Sequence, residues 1–136
     1  MATTALAATA LYAALNALIL LALTGATGRH RVRMRIMMGD GGDAHLVRLL
    51  RGHANAIEAM PMFFVMLGAG VALGAPALAV HALGLPFTIG RALHAWHFIQ
   101  EDAPGWQRSG GFGLSFLAQI LLLIGLVGHG LLMMAG

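Results

Sequence analysis

Apolar residues fall into four stretches of the chain, each about as long as a membrane-spanning helix. They cover residues 3–24, 44–74, 77–100 and 112–134. A helix of about 20 apolar residues is long enough to cross the hydrocarbon core of a bilayer. The pattern therefore predicts an all-α membrane protein whose four transmembrane helices form an up-down bundle, in a single domain over residues 1–136.

Glycine, proline and aspartate mark the predicted breaks between these helices. The segment Gly39–Gly42 is typical of a turn, and Asp43 is placed to cap the second helix. Gly74–Pro76 predicts a short turn before the third helix. Residues 101–111 are polar, and we predict a loop there that ends before the fourth helix begins.

The second stretch is polar in its first half. Arg51, Asn55 and Glu58 follow one another at i, i+4 and i+7, which places them within about 60° on one helix face, with Arg48 at its edge. Ionisable groups at membrane depth are costly, so they indicate a functional or interface site. The same stripe can also seal two helices together without a ligand, and the spacing leaves both interpretations open.

The third stretch carries a second polar stripe. Arg91, His94 and Phe98 recur at i, i+3 and i+7, and two polar faces on two helices can enclose a charged guest. The histidines of the chain also allow a metal or haem hypothesis, which concerns His81, His94, His97 and His129. No carboxylate accompanies them in the pattern, so we favour helix packing for these histidines and predict no metal site.

Composition narrows the class of protein. The chain has 136 residues, of which 59% are hydrophobic and only 10% charged. Ordinary soluble domains have about 25% charged residues, so a water-soluble monomer is excluded and the lipid bilayer is a predicted partner. The chain has no cysteine, so a disulfide scaffold, an iron–sulfur cluster and a thiol nucleophile of the protein are excluded. Any sulfur chemistry needs a thiol from a ligand.

The basic residues are all arginines and half of them are clustered. The net charge is +3, and four of the eight arginines alternate with other residues between positions 29 and 35. Such a local cluster is not a nucleic-acid surface. Basic residues near span ends favour the cytoplasmic side, so we predict cytoplasmic first and third loops and outside termini. We favour this topology role for the cluster over attraction of anionic lipid or of an anionic substrate.

Three segments together resemble a known family. Residues 51–61 match an R-x-x-x-N-x-x-E-x-x-P signature that begins at Arg51, and Gly90–His94 and Arg108-Ser109 agree with it. The chain resembles the membrane-associated proteins in eicosanoid and glutathione metabolism, the MAPEG family, and within it the short bacterial branch. The resemblance implies a homotrimer in the bacterial inner membrane, with glutathione in clefts between subunits near the cytoplasmic face.

The resemblance also implies roles for single residues. Arg51, Asn55 and Glu58 would hold glutathione, with Arg91 and His94 lining the same cleft. Arg108 and Ser109 would lie beside the glutathione sulfur. A free thiol has a pKa of about 8.5, so a nearby cation is needed to favour the thiolate at neutral pH.

The sequence is therefore compatible with two functions. The first is a glutathione-dependent transferase or peroxidase, an enzyme whose thiolate attacks a lipophilic electrophile arriving from the bilayer. The second is a non-catalytic protein that keeps the fold as an assembly or accessory subunit. The second rests on Ala59 and Phe98, which stand where catalytic members commonly have tyrosines.

Overall fold

A computed structural model of the chain describes residues 2–136, which form four helices connected up and down. The helices are α1 (Ala2–Met34), α2 (Ala44–Ala72), α3 (Ala77–Ile99) and α4 (Gly105–Ala135). This arrangement confirms the predicted all-α bundle. The end of α1, the start of α2, the end of α3 and the start of α4 meet at one end of the bundle, which we call the arginine-rich end.

The two predicted turns lie where the sequence places them. Gly39, Gly41 and Gly42 all have positive φ angles, between 59° and 73°, a conformation that glycine adopts without steric cost. Asp43 then caps α2, because its Oδ1 accepts a hydrogen bond of 2.7 Å from the backbone N–H of Leu46. At the opposite end, Gly74 has a φ of 94° and reverses the chain between α2 and α3.

The first helix is longer than predicted. The sequence pattern ends it near residue 24, whereas α1 continues to Met34 and includes three of the four clustered arginines expected in a loop, Arg29, Arg31 and Arg33. Arginine is a good helix former, so a helix need not stop where its apolar stretch stops. Ala26 and His30 are buried against the neighbouring helices, and this packing stabilises the extra turns.

The fourth helix begins earlier than predicted. It starts at Gly105 instead of residue 112, so Arg108 and Ser109 lie in its first turns and not in a loop. Pro104 precedes the helix with a φ of −64°, and proline suits a helix start because no N–H is needed there. The polar residues that follow are compatible with a helix end outside the hydrocarbon core.

Three of the helices, α1, α2 and α4, are long and apolar enough to cross a membrane. The α3 helix has 23 residues, which is long enough to span, but it is more polar. Arg91, His94 and His97 on α3 are each at most 5% exposed, so the protein and not lipid surrounds these side chains.

The core fixes how the helices that build the site are arranged. The rings of Phe63 on α2 and Phe87 on α3 stack with centroids 3.6 Å apart. The α3 and α4 backbones approach closely at Gly90 and Gly111. A Cβ atom added to Gly90 would lie 2.7 Å from the carbonyl oxygen of Gly111, so α3 and α4 can pack this closely only without side chains there.

Candidate functional site

A cleft of about 460 Å³ opens between α2, α3 and α4 near the arginine-rich end. This volume lies within the range of about 300–1,000 Å³ that is usual for small-molecule sites. The cleft is lined by Arg51, Ala54, Asn55, Glu58, His94, Phe98, Arg108, Ser109 and Phe112. Six of the seven site residues predicted from the sequence therefore line this one cleft. The seventh, Arg91, does not line it and lies in the neighbouring cavity.

The α2 wall of the cleft is the predicted polar stripe. Arg51 and Glu58 are exposed and Asn55 is half-buried, so the three polar groups point away from the core of the single chain. On the buried side of the same turn, Gly52 packs against Phe98 of α3. A Cβ atom on Gly52 would lie 2.6 Å from the Cβ of Phe98, so glycine at this position allows Phe98 to lie close to α2.

Arg91 supports the cleft from α3. It is 2% exposed, and its Nη1 donates a hydrogen bond of 2.8 Å to Oδ1 of Asn55. Its Nε and Nη2 atoms have no hydrogen-bond partner within residues 2–136. Arg91 also lines a smaller neighbouring cavity of about 220 Å³, which shares Asn55, Glu58 and Phe112 with the cleft. A buried guanidinium with unused donors is suited to an anionic ligand group.

His94 is the deepest polar residue of the cleft. It is 5% exposed, and its ring centroid lies 5.0 Å from that of Phe98. Its backbone is the surface against which Gly111 of α4 packs, because a Cβ on Gly111 would lie 2.6 Å from the His94 nitrogen. The α3–α4 contact therefore sets the position of His94 relative to Arg108, which is less than one helical turn from Gly111.

The α4 wall carries Arg108 and Ser109, both exposed in the single chain. The Ser109 hydroxyl donates to the carbonyl oxygen of Gly105 at 3.2 Å, a local bond within the first turn of the helix. Because the hydroxyl hydrogen is used in this bond, the Ser109 oxygen can only accept a hydrogen bond from a ligand in the cleft, unless the hydroxyl rotates. Arg108 is the residue of α4 that brings a positive charge to this space.

Arg48 is not part of the cleft. The sequence placed it at the edge of the polar stripe, but its guanidinium turns toward α3 and its Nη2 donates 2.9 Å to the carbonyl oxygen of His97. A second bond of 3.4 Å reaches the carbonyl oxygen of Gln100. Carbonyl groups at a helix C-terminus lack partners within the helix, and a cation there is stabilising. Arg48 therefore caps α3.

The remaining histidines are at separate places in the bundle. His81 shares a hydrogen bond of 2.9 Å with the Tyr12 hydroxyl, His97 is 3.2 Å from the carbonyl oxygen of Pro104, and His129 contacts the carbonyl oxygen of Leu73 at 3.0 Å. Over residues 2–136, no cluster of histidine and acidic residues has the arrangement of a metal site. Each of these histidines links two segments of the fold.

Two residues that line the cleft were not singled out from the sequence, Ala54 and Phe112. Their positions carried a usable signal. Ala54 lies three residues after Arg51, and Phe112 lies four residues after Arg108, so each shares a helix face with a predicted site residue. The same face of α4 continues to Ser115 and Gln119 in the smaller cavity.

Two carboxylates outside the spans stay ionised at the arginine-rich end. The Leu46 N–H, followed by His30, lowers the pKa of Asp43. The hydrogen bond from Arg33 lowers the pKa of Glu101. Neither carboxylate lines the cleft. Its charged groups are therefore Arg51, Glu58 and Arg108, a set suited to a ligand with both negative and positive groups.

Comparison with known proteins agrees with this architecture. Residues 9–128 match the family model described as MAPEG family. The chain is also 33% identical, over 115 residues, to a protein of Escherichia coli strain K12 named inner membrane protein YecN. The alignment covers 85% of this chain and 86% of that relative, and the protein of the same name from E. coli O6:H1 matches to the same extent. The chain therefore belongs to the MAPEG family, as an integral membrane protein of four helices.

Proposed function

We propose that the protein is a membrane glutathione transferase or peroxidase, which activates the glutathione thiol for reaction with lipophilic electrophiles. The observation that carries the proposal is the cleft itself. Side chains from α2, α3 and α4 that are far apart in the sequence line a single space, and the cleft is large enough for a small peptide.

The charges of the cleft complement those of glutathione. Glutathione has two carboxylates and one ammonium group, so it needs cations at two places and an anion at a third. Arg51 and the unused donors of Arg91 suit the carboxylates, because a guanidinium binds a carboxylate through two parallel hydrogen bonds. Glu58 suits the ammonium, and Asn55 connects the two sides through its bond to Arg91.

Arg108 would favour the thiolate form of the ligand. The thiol proton leaves to solvent, and the sulfur lone pair forms the new bond to carbon while the leaving group departs with its electron pair. With a hydroperoxide, the thiolate attacks the terminal oxygen and forms a sulfenic acid, the O–O bond breaks, and the departing alkoxide takes a proton from solvent to become an alcohol. A second glutathione then displaces water from the sulfenic acid and leaves glutathione disulfide. Ser109 assists only after its hydroxyl turns away from Gly105.

The cleft also supports self-association. Glu58 lies near the middle of α2 and is exposed in the single chain, and a charge in that position would otherwise face lipid. We propose that a second copy covers this face in a homotrimer and closes the cleft. The relative named as an inner membrane protein supports the same location here. The arginines near the helix ends favour the cytoplasmic side for the arginine-rich end.

The test measures glutathione binding and conjugation by the detergent-purified protein. We expect binding at millimolar glutathione, and Arg108→Ala should reduce conjugation by about tenfold or more, as expected when a bond to a charged group is lost. Arg35→Ala is the matched control, because it removes an exposed arginine at the same end of the bundle but outside the cleft. It should retain activity.

An absence of binding at millimolar glutathione would contradict the proposal. An equal loss of conjugation activity in the Arg35→Ala and Arg108→Ala proteins would contradict the role of Arg108. A lipophilic electrophile with a chromophore serves as the second substrate, so that conjugation is followed directly in the detergent solution.

A second candidate is a non-catalytic subunit of a larger membrane complex. The observation that favours it is Phe98, which lines the cleft without a hydroxyl group, together with the missing hydroxyl at Ala59 in the smaller cavity. A stoichiometric partner that copurifies and covers the cleft would support this function. Turnover of glutathione by the isolated protein would argue against it.

A further inference from the structure

A second cavity lies at the arginine-rich end and shares no residue with the cleft. Its volume is about 340 Å³, and it opens between the end of α1, the start of α2 and the segment that follows α3. It is lined by Ala26, Arg29, His30, Arg33, His45, Ile99 and Glu101. The lining is therefore mostly cationic or able to donate hydrogen bonds.

His30 is fixed in orientation by hydrogen bonds at both of its ring nitrogens. Its Nδ1 is 3.2 Å from Nη2 of Arg33, and a guanidinium can only donate, so Nδ1 accepts. Its Nε2 therefore carries the proton and donates 2.8 Å to Oδ1 of Asp43. His30 is 6% exposed, and its two hydrogen bonds join Arg33 to the start of α2.

Two other groups of the cavity have unused donors. Arg29 has no hydrogen-bond or ion-pair partner within residues 2–136, and its Nη1 lies back over Gly25, 3.4 Å from where a Cβ would be. Arg29 and Arg33 are four residues apart, so both guanidinium groups are on one face of α1. The Nδ1 atom of His45 is buried and, within the same residues, unpaired.

Glu101 is the only acid of the lining, and its hold on Arg33 is weak. The two side chains form an ion pair of 2.8 Å but are 67% and 62% exposed, and exposed pairs contribute little. An anion that enters the cavity can therefore share Arg33 with Glu101 at small cost. The two arginines carry more positive charge than the single glutamate neutralises, so the cavity favours a negatively charged ligand.

We propose that this cavity binds a phosphate group at the membrane surface, either of a phospholipid headgroup or of a free phosphate. A phosphate has enough oxygen atoms to bridge two guanidinium groups and a third donor, here Arg29, Arg33 and His45. Ala26 and Ile99 give the cavity an apolar side for the glycerol and first methylene groups of a lipid. This site does not depend on the proposed use of glutathione.

Native mass spectrometry of the full-length protein in detergent tests the site. The probe is phosphatidylglycerol, and the control lipid is a diacylglycerol with the same chains, which lacks the phosphate. We expect bound phosphatidylglycerol, with Kd raised about fivefold by Arg29→Gln or Arg33→Gln, as for the loss of one basic residue near an anionic headgroup. Glu101→Gln should lower Kd, because it removes the competitor for Arg33.

Arg35→Gln is the matched control, since it makes the same change of charge just beyond the end of α1 and outside the cavity. If it weakens binding as much as Arg29→Gln, the attraction is diffuse and the proposal is overturned. Equal binding of the diacylglycerol overturns it as well. Arg29→Lys should retain most of the affinity, and this variant separates loss of charge from a folding defect.

Titration with inorganic phosphate, against chloride at equal ionic strength, identifies the source. Stabilisation by inorganic phosphate that Arg29→Gln removes, together with displacement of the lipid, supports a site for free phosphate. Lipid binding that inorganic phosphate does not displace supports a headgroup site. Binding of neither phosphate nor phosphatidylglycerol overturns the proposal, whatever the protein does with glutathione.

Discussion

Asp43 stabilises the arginine-rich end through two hydrogen bonds at once. Its Oδ1 accepts from the N–H of Leu46 at 2.7 Å and from Nε2 of His30 at 2.8 Å. These bonds lower the pKa of its carboxyl from the ordinary value of 3.8, the Leu46 N–H being the larger cause. One carboxylate therefore both caps α2 and ties it to α1.

We expect Asp43→Ala to lower the thermal unfolding temperature at pH 7, and Asp43→Asn to lower it less, because the amide oxygen still caps α2. The folded pKa lies below the ordinary value of 3.8, which the unfolded chain keeps, so the carboxylate stabilises the fold above that pH. Its contribution is lost as the pH falls through the folded pKa. Circular dichroism in detergent at pH 7 and pH 3 measures both effects.

The matched control for this change is Asp102→Ala, which removes an exposed carboxylate near the same end of the bundle. It should leave the unfolding temperature unchanged. The same difference between wild type and Asp43→Ala at pH 3 as at pH 7 would contradict the role given to the ionised carboxyl.

At the scale of elements, α3 and α4 approach each other closely at Gly90 and Gly111. A Cβ on Gly111 would lie 2.6 Å from the backbone nitrogen of His94 and 2.8 Å from the carbonyl oxygen of Gly90. Both neighbours are backbone atoms, which cannot rotate out of the way. A side chain here must separate the helices and move His94 away from Arg108.

Gly111→Ala should therefore destabilise the bundle by about 1–3 kcal/mol, the usual cost of overpacking. It should also weaken ligand binding in the cleft. Gly110→Ala is the matched control on the same helix, since a Cβ there meets nothing within 4 Å, and alanine in a helix is more stable than glycine by about 0.5–1 kcal/mol. Equal unfolding temperatures for the two variants would show that the close approach is unimportant.

The helix ends show what the sequence predicts and what it does not. The limits of α2 and α3 follow from local signals, the glycine turn with Asp43 and the turn at Gly74–Pro76. The helices in the structure begin and end within about two residues of these limits. The ends near Met34 and Gly105 were missed, because the apolar pattern records where lipid ends. A helix can continue into water when its residues favour helix or find packing partners.

The sequence likewise predicts part of the candidate site and leaves part of it undetermined. Periodicity places Arg51, Asn55 and Glu58 on one face, and the structure keeps them there. Which faces meet is a tertiary property, and the spacing of residues within one helix carries no signal for it. The bond from Arg91 to Asn55 and the turn of Arg48 toward the end of α3 therefore became visible only in the folded bundle.

For the whole molecule, the exposed Glu58 and Arg51 lead to a prediction of stoichiometry. We expect the detergent-solubilised protein to be an oligomer, because only a protein surface can cover this face at low cost. The proposed homotrimer would have the mass of three chains by native mass spectrometry. Glu58→Gln should keep the trimer, since the amide retains polar contacts at lower desolvation cost. A single chain that stays monodisperse at high protein concentration would contradict the prediction.

The contact between Gly52 and Phe98 has a consequence for substitution at position 98. Because Gly52 leaves the space in which Phe98 lies against α2, the ring is positioned by the backbone of the opposite helix and not by its own polar contacts. A tyrosine at position 98 would differ by one oxygen atom and would need no new fold around it. A single substitution at position 98 would therefore add a phenolic hydroxyl beside the cleft while the contact between Gly52 and the base of the ring is kept.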